Sequence, residues 1–477
     1  MVRIRPITNV LGLLLIFQAG LMLLCLIFAE GTEAMALLKS GGVTLAIGIL
    51  LFFYRIGSTA ITKREGYLRV ALGWVVMVAF GMLPYIFSGI TGSLVDAFFE
   101  AISGYTTTGA TIFNDIESLP KGLLFWRSLT QWIGGMGIIV LTVAIFPLLG
   151  IGGVELFVAE APGPTSDKIH PRIKVTARRL WLIYVGLTIL LIILYNEFGM
   201  TLYDAINHGL TTMSTGGFST KNTSLAFFGP QIQYLACFFM FLAGANYTVI
   251  YFGLTGKFKR VWKSDEFRAY VSVVCLMVAV ASVLLVVHKI YPMEEAVRAS
   301  LFQIISVVTT TGYVTADYTG WGLGFTMFFF ILLFCGACAG STSGGIKLVR
   351  HIVFVKNSIL EFKRILHPKA IIRIKINQEV VAPRILTHIL VFLLVYLGIF
   401  VIGTIVVSAC GMDFTSASGA VATSLGNVGP AIGSVGPVNT FAHVPANAKI
   451  FLGFLMLLGR LELFTILVLF TPYFWKT

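Results

Sequence analysis

Four places in the chain carry hydroxyl residues running into a glycine. They are Thr107, Thr108 and Gly109; Ser214, Thr215 and Gly216; Thr310, Thr311 and Gly312; and Ser424, Leu425 and Gly426 with Asn427 behind it. Backbone carbonyls and hydroxyls arranged in rings replace the hydration shell of a monovalent cation, potassium above all. Turning successive carbonyls toward one axis needs unusual backbone angles, which glycine adopts without steric cost. One Thr-Thr-Gly alone is an ordinary turn. Four, with Gly-to-Gly intervals of 107, 96 and 114 residues, argue for four copies of a unit of about a hundred residues.

The elements that must position these loops repeat as well. The stretches 96–109 (DAFFEAISGYTTTG), 203–216 (YDAINHGLTTMSTG), 299–312 (ASLFQIISVVTTTG) and 413–426 (DFTSASGAVATSLG) each form a short run ending at the loop. Such a run is too brief to cross a bilayer and reads as re-entrant. Irregular backbone at membrane depth is tolerated where it is buried in protein or faces water. The carboxyl ends of the short helices would turn their negative dipole ends toward a cation. Longer apolar runs flank each loop, at about 68–87 and 122–147, 180–197 and 231–255, 267–289 and 324–355, and 385–408 and 450–470; two more precede the repeats at about 8–29 and 41–54. The expected fold is an all-α integral membrane protein. It has four parallel helix–pore-loop–helix repeats around one pore, plus two extra amino-terminal transmembrane helices, ten spans in all. The expected division is 1–66 for the amino-terminal pair and 67–155, 156–262, 263–380 and 381–477 for the repeats.

Composition supports a membrane location: of 477 residues, 57% are hydrophobic and 12% charged. The first apolar block lacks a small-residue cleavage site before a soluble domain and reads as a retained helix. The alternation of a membrane β-barrel is absent. The net charge of +13 is sorted by side: basic stretches fall at 3–5, 55–69, 168–179, 257–268 and 347–384, and the stretches between them carry few cations. That pattern puts the amino terminus and the basic loops in the cytoplasm and all four Gly loops outside. Short basic segments separated by spans exclude nucleic acid as a partner; membrane lipid is the expected surroundings. Cys335 and Cys338 have redox or metal-ligand spacing, but no second pair or His cluster accompanies them, so helix packing explains them better. The basic loops hold no G-x-G-x-x-G unit. No cofactor is expected on this chain.

The second helix of the third unit is interrupted by Gly340, Ser341, Thr342, Ser343, Gly344 and Gly345, with Lys347 following. Three readings compete: a phosphate-cradling loop, which lacks Walker spacing; a Ser343–Lys347 dyad, which lacks a substrate-binding signature; and an irregular segment that narrows a pore. Arg460 sits inside the last apolar run, where a charge is expensive and faces a cavity or a partner. A local pair with Glu462 is disfavoured, because i,i+2 side chains do not face each other on a helix. Asp115, Glu117 and Asp317 follow Gly loops; they either concentrate cations at the mouth or are merely solvated. No carboxylate stands out within a span near the loops.

The loops, the run FWRSLTQWIGGMG at 125–137 and the run SLGNVGP at 424–430 resemble the Trk/Ktr/HKT superfamily of potassium transporters, and the two extra helices and the length resemble its bacterial TrkH branch. The resemblance implies a homodimer with one pore per subunit in the bacterial inner membrane. It also implies a cytosolic regulatory subunit that binds NAD or ATP/ADP, with potassium as the transported ion. It favours the pore-narrowing reading of 340–345 as a gate and puts Arg460 near the pore below the filter. In the family a Gly in every loop goes with potassium, and Ser in the first loop with sodium permeation; this chain has Gly109. Tyr313 stands where the family pattern leads one to expect Phe. Channel-like transport and symport coupled to H⁺ or Na⁺ both remain open. A membrane-embedded enzyme would need convergent groups, and His208, His288 and His388 are scattered over different units.

Overall fold

In a computed structural model the chain is helical, and the structure describes residues 5–53, 63–140, 169–370 and 372–475. Among the described residues, six helices are long and apolar enough to cross a membrane: Thr8–Ile27, Thr32–Phe53, Arg64–Ser88, Val175–Glu197, Asp265–Val287 and Pro383–Ala409. The count rises to eight if each of two bent pairs is one span. The other two expected spans differ in kind. Lys121–Val140 is 20 residues long and carries Lys121 and the buried Arg127. The third unit's second helix reaches only Leu323–Leu332, and the expected end of the run at 122–147 lies outside the described residues. The second amino-terminal helix begins at Thr32, well before position 41, because the Glu33 carboxylate accepts from the Glu30 amide (2.8 Å) and starts the helix ahead of Lys39.

Four short helices, Leu94–Tyr105, Leu202–Met213, Met293–Val308 and Phe414–Gly426, lead into the Gly loops. They have 12 to 16 residues, roughly 18–24 Å at 1.5 Å per residue, short of a core of about 30 Å. Two start alike: Ser93 and Thr201 accept from the amides of Asp96 and Asp204, and their hydroxyls donate back to those carboxylates at 2.9 Å. This reciprocal cap fixes where each helix begins.

The second helices of the second and fourth units, expected as single runs, are bent. Pro230–Gly244 meets Tyr247–Leu254 at 110°, and Ala446–Arg460 meets Phe464–Phe470 at 107°. At the first bend Asn246 leaves the helix and caps the next one, accepting from the Thr248 amide at 2.7 Å. At the second, Glu462 and Leu463 take left-handed angles, φ 57° and 48°. Apolar periodicity runs straight through both bends, which is why the sequence hides them. Between Pro383–Ala409 and Leu348–Leu366 lies a two-stranded hairpin, Lys375–Ile376 against Glu379–Val380, turned by Asn377 and Gln378 at positive φ.

Candidate functional site

Each short helix ends in the same left-handed cap. Thr107, Thr215, Thr310 and Asn427 have φ of 53°, 53°, 56° and 54°. The next residue donates its N–H five residues back in every case: Thr108 to Ser103 O, Gly216 to Thr211 O, Thr311 to Ser306 O and Val428 to Thr423 O, at 2.8–3.1 Å. A Schellman cap explains the pattern, but it normally uses glycine. Three β-branched threonines there are backbone outliers, and strain of this kind collects at functional sites.

The cap sets the register of the repeats and corrects the expected one. The glycine after the cap, with φ of 81°, 79°, 81° and 103°, is Gly109, Gly217, Gly312 and Gly429. Gly216 and Gly426, paired with Gly109 by sequence, stand elsewhere: Gly216 is level with Thr108, and Gly426 closes its helix. Gly217, Val428 and Gly429 were therefore missed. The four-residue frames TTTG, STGG, TTTG and GNVG align them, and in the second and fourth the glycine that follows a hydroxyl-rich run is not the last of the frame.

The four loops close on one another. A Cβ on Gly109 would strike the carbonyl oxygen of Gly216, one on Gly217 that of Thr311 and one on Gly312 that of Val428, and a Cβ on Gly429 would lie 2.6 Å from that of Thr108. First meets second, second third, third fourth, and fourth first. Thr107, Thr108, Thr215, Thr310, Thr311, Asn427 and Val428 are buried. Among the described residues, the carbonyl oxygens of Thr107, Thr108, Thr215, Gly217, Thr310, Thr311, Asn427 and Val428 accept no hydrogen bond from the protein. Buried carbonyls without partners are rare and costly, so a whole ring of them calls for a cation or water. Side chains brace the ring: Thr106 Oγ1 meets Thr108 Oγ1 (2.8 Å), Thr309 Oγ1 meets Thr311 Oγ1 (2.7 Å), and the Asn427 amide donates to Thr108 Oγ1 (3.0 Å) and Met456 O (2.8 Å). Gln131 donates to Gly216 O (2.6 Å) and accepts from Phe218 N (3.0 Å). Tyr313 uses the hydroxyl that Phe would lack, bonding Thr211 Oγ1 at 2.5 Å and Thr212 Oγ1 at 3.2 Å.

A buried ion pair with no local sequence signature ties the first loop to the second. Glu100, on the first short helix, accepts from Arg127 Nε at 2.8 Å, and the two are 0% and 1% exposed. Glu100 also accepts from Thr111 Oγ1 and Ile112 N, while Arg127 lies 4.1 Å over the Phe218 ring. Removing one partner of such a pair leaves a bare buried charge and costs about 3–5 kcal/mol, whereas replacing both is often neutral. Arg127→Ala is therefore expected to lower the melting temperature in detergent sharply, and Arg127→Met with Glu100→Leu to recover much of the loss. Equal melting of Arg127→Ala and the wild type contradicts this.

The acidic residues of the loops are engaged. Asn222 donates to Asp115 at 3.0 Å and its amide N–H to Glu117 at 3.2 Å, while Asp317 caps Thr319 at 2.9 Å. The Asn222 hydrogen bond lowers the pKa of Asp115, keeping it ionised.

The interrupted segment lies against the ring. Gly344 N donates to Thr310 Oγ1 (2.6 Å), and Thr342 Oγ1 donates to Met213 O and Ala243 O (both 3.2 Å). A Cβ on Gly344 would meet Gly426 O at 2.6 Å. Arg460 spans from this segment to the first unit, donating to Thr342 O (2.8 Å) and Gly134 O (2.9 Å). Glu462 pairs not with Arg460 but with Arg350, at 2.5 Å. Ser341, Thr342 and Ser343 are at most 1% exposed. Ser343 Oγ receives Lys347 Nζ at 3.1 Å and meets Ser341 Oγ at 2.7 Å, so the dyad forms inside a sealed loop. His208 is held by Asp204 O and Ser219 Oγ. No group of three or more metal-ligating side chains occurs among the described residues.

The family model described as TrkH, cation transport protein, matches residues 33–476. The Trk system potassium uptake protein TrkH of Salmonella typhimurium is 40% identical over 482 residues, covering 99% of each chain, and that of Vibrio parahaemolyticus is 38% identical over 485 residues, again 99% of each. Escherichia coli TrkG is 34% identical over 418 residues, 87% of this chain and 86% of its own. The crystal structure of the potassium transporter TrkH from Vibrio parahaemolyticus superimposes with a TM-score of 0.91 at 36% identity, covering 99% of this chain and all of the other.

Proposed function

This chain belongs to the TrkH family of cation transport proteins, and on that premise we propose that it takes up potassium through one pore lined by the four Gly loops. It is a multi-pass membrane protein working as one component of a Trk system. The observation that carries the reading is the closed circuit of carbonyls that receive no hydrogen bond, at the buried Thr107, Thr108, Thr215, Thr310, Thr311, Asn427 and Val428 and the half-buried Gly217. Carbonyl oxygens held in place by backbone caps suit a dehydrated cation. As a member of a family of cation transport proteins, it moves potassium and does not transform it. The repeats lie within 67–155, 156–262, 263–380 and 381–477. The segment Gly340–Gly345, held by Arg460, closes the pore below the filter. Two copies pair in the bacterial inner membrane, each with its own pore, and a cytosolic nucleotide-binding subunit controls opening.

Potassium flux into proteoliposomes of the purified protein, with and without an imposed proton gradient, tests this reading. Flux that follows the potassium gradient alone supports channel-like transport. Flux that requires the proton gradient supports the symport alternative, and absence of potassium flux refutes both. Topology gives a second test. In a background lacking the native cysteines, Cys at Glu117 is expected to react with an impermeant thiol reagent added outside, and Cys at Lys259 only after permeabilisation. The reverse pattern inverts the assigned sides.

A further inference from the structure

One carboxylate holds both ends of the Gly/Ser segment. Glu266 is the second residue of Asp265–Val287 and is 2% exposed. Its Oε1 accepts from Ala339 N at 2.7 Å and from Val349 N at 3.2 Å. Ala339 directly precedes Gly340 (φ 70°), and Val349 lies just beyond Gly345 (φ 66°). Inside this foot the two flanks are laced to each other, Gly336 N to Ile346 O at 2.9 Å and Leu348 N to Ala337 O at 3.0 Å. The Asn246 amide, at the bend of the second unit, donates to Ala339 O at 2.6 Å, and Tyr247 N to Gly340 O at 3.1 Å. The start of the Glu266 helix is itself fixed: Asn377 Oδ1 accepts from Asp265 N (2.7 Å), and Asp265 Oδ2 accepts from Asn377 N (3.0 Å) and Lys356 Nζ (3.3 Å).

We propose that Glu266 is a positioning residue of the gate, clamping the stem so that only the segment between Gly340 and Gly345 changes shape. The two N–H groups it receives come from opposite flanks, so losing the acceptor leaves the flanks held only by their own two backbone bonds and loosens the segment from its seat under Thr310. A neutral amide oxygen accepts the same two bonds; a thioether is only a weak acceptor.

This inference rests on the gate reading above, and the test separates them. Potassium flux and potassium-over-sodium preference are measured in proteoliposomes of the full chain with Glu266→Gln, Glu266→Met, deletion of 340–345, and Glu266→Met in the deletion background. Glu266→Met is expected to raise basal flux several-fold with unchanged preference, Glu266→Gln to stay near wild type, and Glu266→Met to add nothing to the deletion. Equal flux in Glu266→Met and Glu266→Gln, with raised flux in the deletion, overturns the role of Glu266 and leaves the gate standing. No rise in the deletion removes the gate and this inference with it. Should Glu266→Met fail to fold, Asn246→Ala, which frees the same Ala339 flank, is measured in its place, and wild-type flux there overturns the clamp.

Discussion

Gly429→Ala is expected to cut the preference for potassium over sodium at least tenfold, and Gly217→Ala to do the same while Gly216→Ala has a smaller effect. Gly429 has φ 103° and Gly217 φ 79°, where an L side chain costs roughly 1–2 kcal/mol. A Cβ on either meets backbone: Thr108 O at 2.6 Å for Gly429, and Thr311 O for Gly217. Backbone cannot rotate away, so each loop must shift against its neighbour and move carbonyls on both. A distortion that costs one cation about 1.4 kcal/mol more than the other changes the preference tenfold. Gly216 lacks the positive φ, and its Cβ would meet the Gln131 side chain, which can move at the expense of its two hydrogen bonds. Reversal potentials under bi-ionic conditions read the difference. Equal effects at 216 and 217, or unchanged preference in Gly429→Ala, would break the register read from the caps.

Loss of the Arg460 side chain is expected to raise basal potassium flux about tenfold without altering preference. Its guanidinium joins Thr342 O to Gly134 O, holding the Gly/Ser segment to the first unit. Hydrogen bonds from a charged donor contribute about 1.5–3 kcal/mol each. If the open state keeps neither, losing them favours opening by a factor of ten or more. Deleting 340–345 removes the same barrier, so the double change is expected to match the single ones. Additive increases, or preference lost in step with flux, would place the barrier elsewhere.

The sequence carried the repeat, the four loops, the interruption and Arg460, because each depends on residue type at a fixed spacing. It misled on register: in STGG and SLGNVG the first glycine after a hydroxyl is not the one after the left-handed cap. Asn427, which the sequence already places behind Gly426, does in the fourth loop what threonine does in the others. The bends at Asn246 and Glu462 were hidden because apolar residues continue on both sides. Glu100 and Glu266 were overlooked for another reason. A buried carboxylate is justified by its partners, here Arg127 and the amides of Ala339 and Val349, which lie 27 to 83 residues away in the chain.

Crystals grown with rubidium in place of potassium give the most direct test, since the ion's anomalous scattering marks its position. Peaks are expected on the axis enclosed by the carbonyls of Thr107, Thr108, Thr215, Gly217, Thr310, Thr311, Asn427 and Val428, and Gly429→Ala is expected to weaken them. Rubidium bound away from these four loops, with none inside the ring, would contradict the assignment of the filter.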